Sequence, residues 1–170
     1  MKKVLFFTVA LSLIATAAMA HDMTGRFGLG FVSTDAPVGG RYWMNEKVGI
    51  DVGIGFSSID GGNDTFSDFV LNAVVPLVFN AMADRVNFLI RPGIQFTSGD
   101  FAVAAAKGTD IQLSGALEFE VFVTDDFSVS AAHGLYIDLM SPDVGDSRTN
   151  FGLFGNDWTN FGFHYYLKNK

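Results

Sequence analysis

Strict alternation of apolar with polar or small residues recurs along almost the whole chain beyond residue 26. In residues 48–56 every second position is valine, isoleucine or phenylalanine, and glycine or aspartate fills the positions between them. Successive side chains of a β-strand point to opposite faces, so a repeat of two indicates strands with one apolar face. The pattern therefore predicts an all-β fold.

Eight runs of this kind follow one another. They span residues 27–31, 40–44, 48–56, 69–79, 86–96, 111–123, 127–139 and 161–167. Most approach the roughly 9 to 11 residues that a tilted strand needs to cross the hydrocarbon of a bilayer. Compact connections at 45–47, 80–85 and 124–126 alternate with long ones at 97–110 and 141–157, although those at 34–37 and 60–64 are short. We expect an eight-stranded antiparallel up-and-down barrel.

The faces opposite the apolar ones are rich in polar and charged residues. They carry Arg41, Asp51, Asp68, Asn72, Asn87, Arg91, Gln95, Gln112, Ser114, Glu118, Glu120, Ser128, Ser130, Tyr136, Asp138, Asn160 and His164. A soluble barrel would place its apolar side chains inside, so we expect a transmembrane barrel with these polar residues within. The alternative is a periplasmic β-sandwich that buries the apolar faces between two sheets.

Residues 1–20 have the form of an export signal. Lys2 and Lys3 precede an apolar stretch, which ends in the small-residue site Ala18-Met19-Ala20. We expect cleavage before His21, leaving residues 21–170 as one outer-membrane barrel domain of a diderm bacterium. The formal net charge of −7 argues against a nucleic-acid partner. Cysteine is absent from the sequence, so the fold uses no disulfide.

With these features, the chain resembles the small eight-stranded outer-membrane barrels that include the transmembrane domain of OmpA and OmpX. The most specific element is the last strand, Asn160-Phe161-Gly162-Phe163-His164-Tyr165-Tyr166-Leu167. Members of this superfamily close with such a strand, which the barrel assembly machinery reads. The chain departs from the pattern in that Lys168-Asn169-Lys170 follow Leu167, where family members commonly end on an aromatic residue.

An interior of eight strands is only just wide enough for side chains to fill, so we expect it to be plugged. A three-residue turn at 45–47 sets Arg41 directly opposite Asp51. Arg91 is expected level with Glu118, with Glu120 one step nearer the periplasm. We predict that Arg41, Asp51, Arg91, Glu118 and Glu120 form a buried polar network, because charges sealed in a lumen must be paired.

Other candidate sites have simpler structural explanations. His21, His133 and His164 lack a second ligand at metal-binding spacing. Strand parity places Ser128 and Ser130 inside and His133 outside, which separates the parts of a catalytic triad. Asp125-Asp126 lies in a tight turn. Residues 60–64 resemble a calcium loop in composition only, and the glycine pairs lie inside strands with no following helix.

We expect a non-enzymatic outer-membrane protein with a structural or surface-interaction role. Its partners would be outer-membrane lipid, the barrel assembly machinery and a surface partner at loop 141–157, where Phe151, Leu153 and Phe154 are apolar. The alternatives are a narrow channel or lateral path for small apolar molecules and, less favoured, a lipid-modifying enzyme. No catalytic, cofactor or metal site is expected.

Overall fold

The computed structural model describes residues 22–60, 65–83, 85–101, 106–143, 145–153 and 160–167. The expected signal segment, His21, the tip of loop 60–64 and Phe154 lie outside these ranges. The described residues form no helix long and apolar enough to cross a membrane.

Ten β-segments within these ranges build the wall. They are β1 (Phe27–Phe31), β2 (Val38–Trp43), β3 (Gly49–Asp60), β4 (Thr65–Val74), β5 (Leu77–Ala83), β6 (Val86–Phe101), β7 (Ala106–Thr124), β8 (Phe127–Pro142), β9 (Arg148–Leu153) and β10 (Asn160–Tyr166). β4 and β5 both pair with β6, and β9 and β10 both pair with β8. Each of these couples forms one barrel strand, so the ten segments make eight barrel strands.

The wall is closed, because β10 also pairs antiparallel with β1. Every pairing among the described strands is antiparallel, and apart from the closing pair each links barrel strands that follow one another in the chain, which is the up-and-down topology. The register pairs followed once around the wall from Gly30 arrive at Asn150, whereas Gly30 itself pairs with His164. This stagger means that the strands are tilted, as closure of a barrel requires.

The expected single strand at 69–79 is interrupted at Val75 and Pro76. Proline has no N–H to donate to a ladder. The other backbone groups at the break still form hydrogen bonds with neighbouring strands: Val75 N donates to Pro92 O, and Gly49 N donates to Pro76 O. The barrel strand therefore continues past the proline, with β4 and β5 both paired to β6.

The two longest connections are partly built into the wall. Phe101 and Val103 continue the alternating pattern of the sequence, which predicts that the strands flanking 97–110 extend into it. β6 and β7 do run on to Phe101 and from Ala106, so most of 97–110 is an extension of the wall. Loop 141–157 contains β9, which pairs with Leu135 to Met140 of β8. Backbone groups of β8 that would otherwise be unpaired bond to this segment and add it to the sheet. The alternation of residues in the sequence did not predict this pairing.

The two ends of the barrel are unlike. The short-turn end is where β2 ends and β3 begins, β5 ends and β6 begins, and β7 ends and β8 begins, and the remaining connections lie at the long-loop end. A cluster of Met23, Trp43, Leu89, Phe122 and Tyr166 lies inside the barrel, with Trp43, Phe122 and Tyr166 next to the short turns, and its members are almost completely buried. The four members that lie on strands, all except Met23, share their strand faces with the polar interior residues. The cluster therefore forms an apolar seal at that end of the barrel.

Candidate interior network

The structure brings Arg41, Asp51, Arg91, Glu118 and Glu120 together inside the barrel. Asp51, Glu118, Glu120 and Arg41 have no exposed surface, and Arg91 is buried. β2 and β7 lie four strands apart in a ring of eight, so Arg41 reaches across the lumen to the carboxylates of β7.

Arg41 is the centre of the cluster. It lies opposite Asp51 in the β2–β3 register and donates from Nε and Nη2 to Oδ1 and Oδ2 of Asp51, both at 2.7 Å. It also donates to Glu120 Oε1 at 2.9 Å and Glu118 Oε1 at 3.1 Å. Its guanidinium stacks 5.6 Å from the Trp43 ring. A planar fork of five donors suits this bidentate and cross-lumen pairing.

Arg91 completes a ring of alternating charge, the ionic ring, which consists of Arg41, Asp51, Arg91 and Glu118. Its Nη2 donates to Asp51 Oδ2 at 2.9 Å, and its Nη1 donates to Glu118 Oε2. The expectation that Arg91 is level with Glu118 is wrong, since Arg91 pairs with Ala116 and Glu118 with Leu89. The ion pair forms diagonally because long side chains reach the diagonal neighbour across antiparallel strands.

The network contains three carboxylates but only two guanidiniums. Neutral side chains therefore donate further hydrogen bonds to Glu120. Ser128 Oγ donates to Glu120 Oε1 at 2.8 Å, Tyr166 OH donates to it at 3.1 Å, and Asn87 Nδ2 donates to Glu120 Oε2 at 3.4 Å. Trp43 Nε1 donates to Tyr166 OH at 3.2 Å. The apolar seal is thus hydrogen-bonded to the ionic ring above it.

Trp43, Phe122 and Tyr166 were not singled out from the sequence. Strand parity could have predicted their interior position, because each lies two residues from a polar interior residue on the same strand: Trp43 from Arg41, Phe122 from Glu120, and Tyr166 from His164.

A third obstruction of the lumen, after the apolar seal and the ionic ring, lies towards the long-loop end. The turn between β1 and β2 folds onto the inner face of β3, burying Val32, Ser33 and Ala36. Ser33 Oγ accepts from Ala36 N at 3.0 Å, which holds the turn. A Cβ added to Gly55 would lie 1.8 Å from Asp35 O. Glycine on the inner face therefore makes room for the turn.

Polar side chains of β4, β6, β7 and β8 also line the lumen. Asn72 donates to Gln95 at 3.1 Å, and Gln112 donates to Asp138 at 2.9 Å. This lining is polar, so it does not favour a path for apolar molecules. His164 is buried near the ionic ring, and neither of its ring nitrogens has a hydrogen-bond partner among the described residues.

The remaining candidate residues are not assembled into a site. Ser128 and Ser130 are buried inside, whereas His133 is exposed on the outer face. Within the described ranges, no three acidic, histidine or cysteine side chains are grouped to hold a metal ion. Asp125 and Asp126 accept from Arg85 and Arg26 at the short-turn rim.

The arrangement ties opposite walls together and fills the lumen. Comparisons of the chain with models of protein families, with curated proteins and with solved structures found no match.

Proposed function

We propose that this chain is an integral outer-membrane β-barrel protein with a plugged, polar interior and a structural or surface-interaction role. One observation carries the proposal: apolar side chains cover the outside of the wall, and paired charges are sealed within it. Each of the eight barrel strands presents at least two large apolar side chains that are exposed on the outer face.

Water is a poor solvent for such a surface. Soluble monomers rarely expose contiguous apolar patches beyond a few hundred Å². Here the apolar belt runs around the whole wall, with members such as Leu29 on β1, Ile54 on β3, Leu113 on β7 and Phe163 on β10. A lipid bilayer covers a belt of this kind, and a closed barrel leaves no unpaired strand edge at that depth.

The interior supports a scaffold in preference to a channel. The apolar seal, the ionic ring and the inward β1–β2 turn each obstruct the lumen, and Arg41 and Glu120 meet directly across it. Function would then reside at the long-loop end, where β6, β7, β8 and β9 extend the wall.

Membrane placement is tested by fractionation and heat-modifiability. We expect the protein to remain with outer membranes through a high-salt and carbonate wash, to need detergent for solubility, and to migrate differently on a gel when boiled and unboiled. A protein that stays monodisperse in plain buffer would contradict the proposal. Mass spectrometry of lipid A with and without expression tests the enzymatic alternative, and an unchanged mass is expected.

A further inference from the structure

The outer face of the wall changes its chemistry sharply towards the long-loop end. On six neighbouring segments, the last large apolar side chain of the outer face is followed, two residues nearer that end, by serine or threonine. The pairs are Phe56 and Ser58 on β3, Phe69 and Ser67 on β4, Phe96 and Ser98 on β6, Ile111 and Thr109 on β7, Leu139 and Ser141 on β8, and Phe151 and Thr149 on β9. We call the six serine and threonine residues the hydroxyl band.

Most of the hydroxyl band is continuous from strand to strand. Ser58 lies opposite Ser67, and Thr109 lies opposite both Ser98 and Ser141. The apolar residues beneath these five form the same cross-strand pairs among themselves. Directly opposite residues of an antiparallel sheet share one face and contact each other. The band is therefore one surface feature, which follows the upper border of the apolar belt.

The border of the apolar belt at the short-turn end is different. There the outer face carries aromatic side chains, among them Phe27, Tyr42 and Tyr165. Aromatic rings offer mainly apolar surface, whereas each serine or threonine hydroxyl both donates and accepts a hydrogen bond. The two borders of the belt thus offer different groups to the molecules that cover them.

A groove of about 360 Å³ crosses the hydroxyl band on β4, β6 and β7. Phe56 and Phe69 border it on the side of the apolar belt. The side chains of Asp68, Gly99 and Gly108 belong to the inner face, so the backbone of these residues forms its floor. Its other lining side chains are all polar: Ser67, Ser98, Asp100, Lys107, Thr109 and Asp143. This volume lies within the range of small-molecule sites in proteins.

The charged groups at the groove are held apart from one another. Lys107 lies opposite Asp100 in the β6–β7 register, yet it makes no ion pair with Asp100 or Asp143 in the described part of the chain. Asp100 Oδ2 accepts from Ser67 N at 3.1 Å, which fixes the carboxylate beside the groove. Two carboxylates and one ammonium leave an excess of negative charge, which disfavours a phosphate or another anionic ligand.

We propose that this groove binds the saccharide headgroup of a membrane glycolipid, whose acyl chains lie along Phe56 and Phe69. The inference rests on the membrane placement proposed above. Sugar hydroxyls donate and accept hydrogen bonds, and the groove offers them the hydroxyls of Ser98 and Thr109 and the carboxylate of Asp100. An uncharged sugar also avoids the repulsion that an anionic headgroup would meet.

A lipid matches the groove better than a soluble sugar does, because the lining is polar on one side and apolar on the other. Phe56 and Phe69 are 75% and 46% exposed, and both lie at the edge of the apolar belt. A soluble sugar would leave these rings uncovered, whereas acyl chains that run down the wall bury them. The direction from polar to apolar also agrees with the direction from headgroup to chain in a bilayer.

Native mass spectrometry of the protein in an oligo-oxyethylene detergent, which contains neither sugar nor phosphate, tests the choice of headgroup. The probe is monoglucosyl diacylglycerol, and the comparison lipids are phosphatidylglycerol and diacylglycerol with the same acyl chains. We expect one glucolipid to be retained per protein and the comparison lipids to bind about tenfold more weakly. Equal retention of the three lipids, or stronger retention of phosphatidylglycerol, overturns the proposal.

A pair of double variants tests the position of the site. Ser98→Val with Thr109→Val removes two hydroxyls from the groove, and we expect it to weaken glucolipid binding about tenfold. Ser58→Val with Ser141→Val is the matched control, because it removes two hydroxyls of the band that do not line the groove. Heat-modifiability shows that both proteins are folded. Unchanged binding by the first variant, or equal losses in both, overturns the assignment to the groove.

Competition with methyl glucoside separates a lipid from a soluble sugar. An equal concentration of this sugar should leave the bound glucolipid in place, and its displacement would overturn the proposal of a lipid ligand. Membrane placement is measured independently by fractionation. A protein that fractionates with outer membranes and retains no glucolipid would therefore overturn this inference alone.

Discussion

At the scale of single residues, Arg41 decides whether three buried carboxylates can share one lumen. It contacts Asp51, Glu118 and Glu120 without any exposure to solvent. A buried ion pair adds little over a well-packed apolar core, but removal of one partner leaves uncompensated charge. The intact network therefore adds little net stability, whereas removal of one of its members strongly destabilises this arrangement of strands.

We expect Arg41→Leu to lower the free energy of unfolding by about 3–5 kcal/mol, because Arg91 alone would face three carboxylates. Urea unfolding in lipid vesicles, followed by tryptophan fluorescence, measures the change. Adding Glu120→Gln to Arg41→Leu should recover part of the loss, since it removes one of the stranded charges. Full additivity of the two substitutions would show that Arg41 and Glu120 do not interact.

Glycine at the inner face of β3 is the second residue-scale feature. Because a Cβ on Gly55 would overlap the Asp35 backbone, we expect Gly55→Ala to destabilise the protein by about 1–3 kcal/mol. Gly115→Ala is the control, since nothing lies within 4 Å of a Cβ built there. The same urea titration compares them. Equal effects of the two substitutions would mean that the turn does not pack against Gly55.

At the scale of elements, the β1–β2 turn acts as an internal plug made from a hairpin end. Its inward fold is held by Ser33 and Ala36, and it lies over Gly53 and Gly55 of β3. Turning inward also shortens the hairpin, so β2 makes its last pair with β3 at Val38 and Ile54, while β3 pairs with β4 as far as Asp60. One local turn thus accounts for both the plug and the short wall at this hairpin.

Replacing residues 33–36 by a two-residue Asn-Gly turn should open the lumen from the long-loop end. Asn72 is buried and pairs with Gly53, so a cysteine at Asn72 should react slowly with a water-soluble thiol reagent in the parent and quickly in the shortened variant. Thr149→Cys, which is exposed, should react at the same rate in both backgrounds. Unchanged labelling of the Asn72 position would place the plug elsewhere.

At the scale of the whole molecule, three successive closures define the interior: apolar seal, ionic ring and inward turn. Barrels of eight strands have interiors that side chains can fill. The apolar side chains thus lie on the outer surface and the charged ones in the lumen, the reverse of a soluble barrel. In the membrane placement that we propose, lipid covers the apolar surface.

We expect the purified protein to be silent in planar bilayers, and the variant with the shortened β1–β2 turn to remain silent, because the ionic ring and the apolar seal persist below the turn. Recordings at both polarities check this. Stable unitary conductance of the parent protein would favour the channel alternative over the plugged scaffold.

The eight strands, their faces and the Arg41–Asp51 pair followed from the sequence. Alternation of side chains is a local property of each strand, and the compact 45–47 connection sets the register of its hairpin. Inside and outside could thus be separated for residues such as Arg91 and Ile94 before any pairing was known.

Only the tertiary structure decided which residues meet across the lumen and where the wall ends. Closure staggers the strands, so the contacts of Arg41 with β7 and the diagonal pairing of Arg91 with Glu118 depend on the whole ring. The pairing of β9 with β8 depends on a neighbouring edge, and the inward β1–β2 turn depends on space above Gly55. Sequence alternation specifies a direction for each side chain, whereas these contacts require the positions of strands distant in the chain.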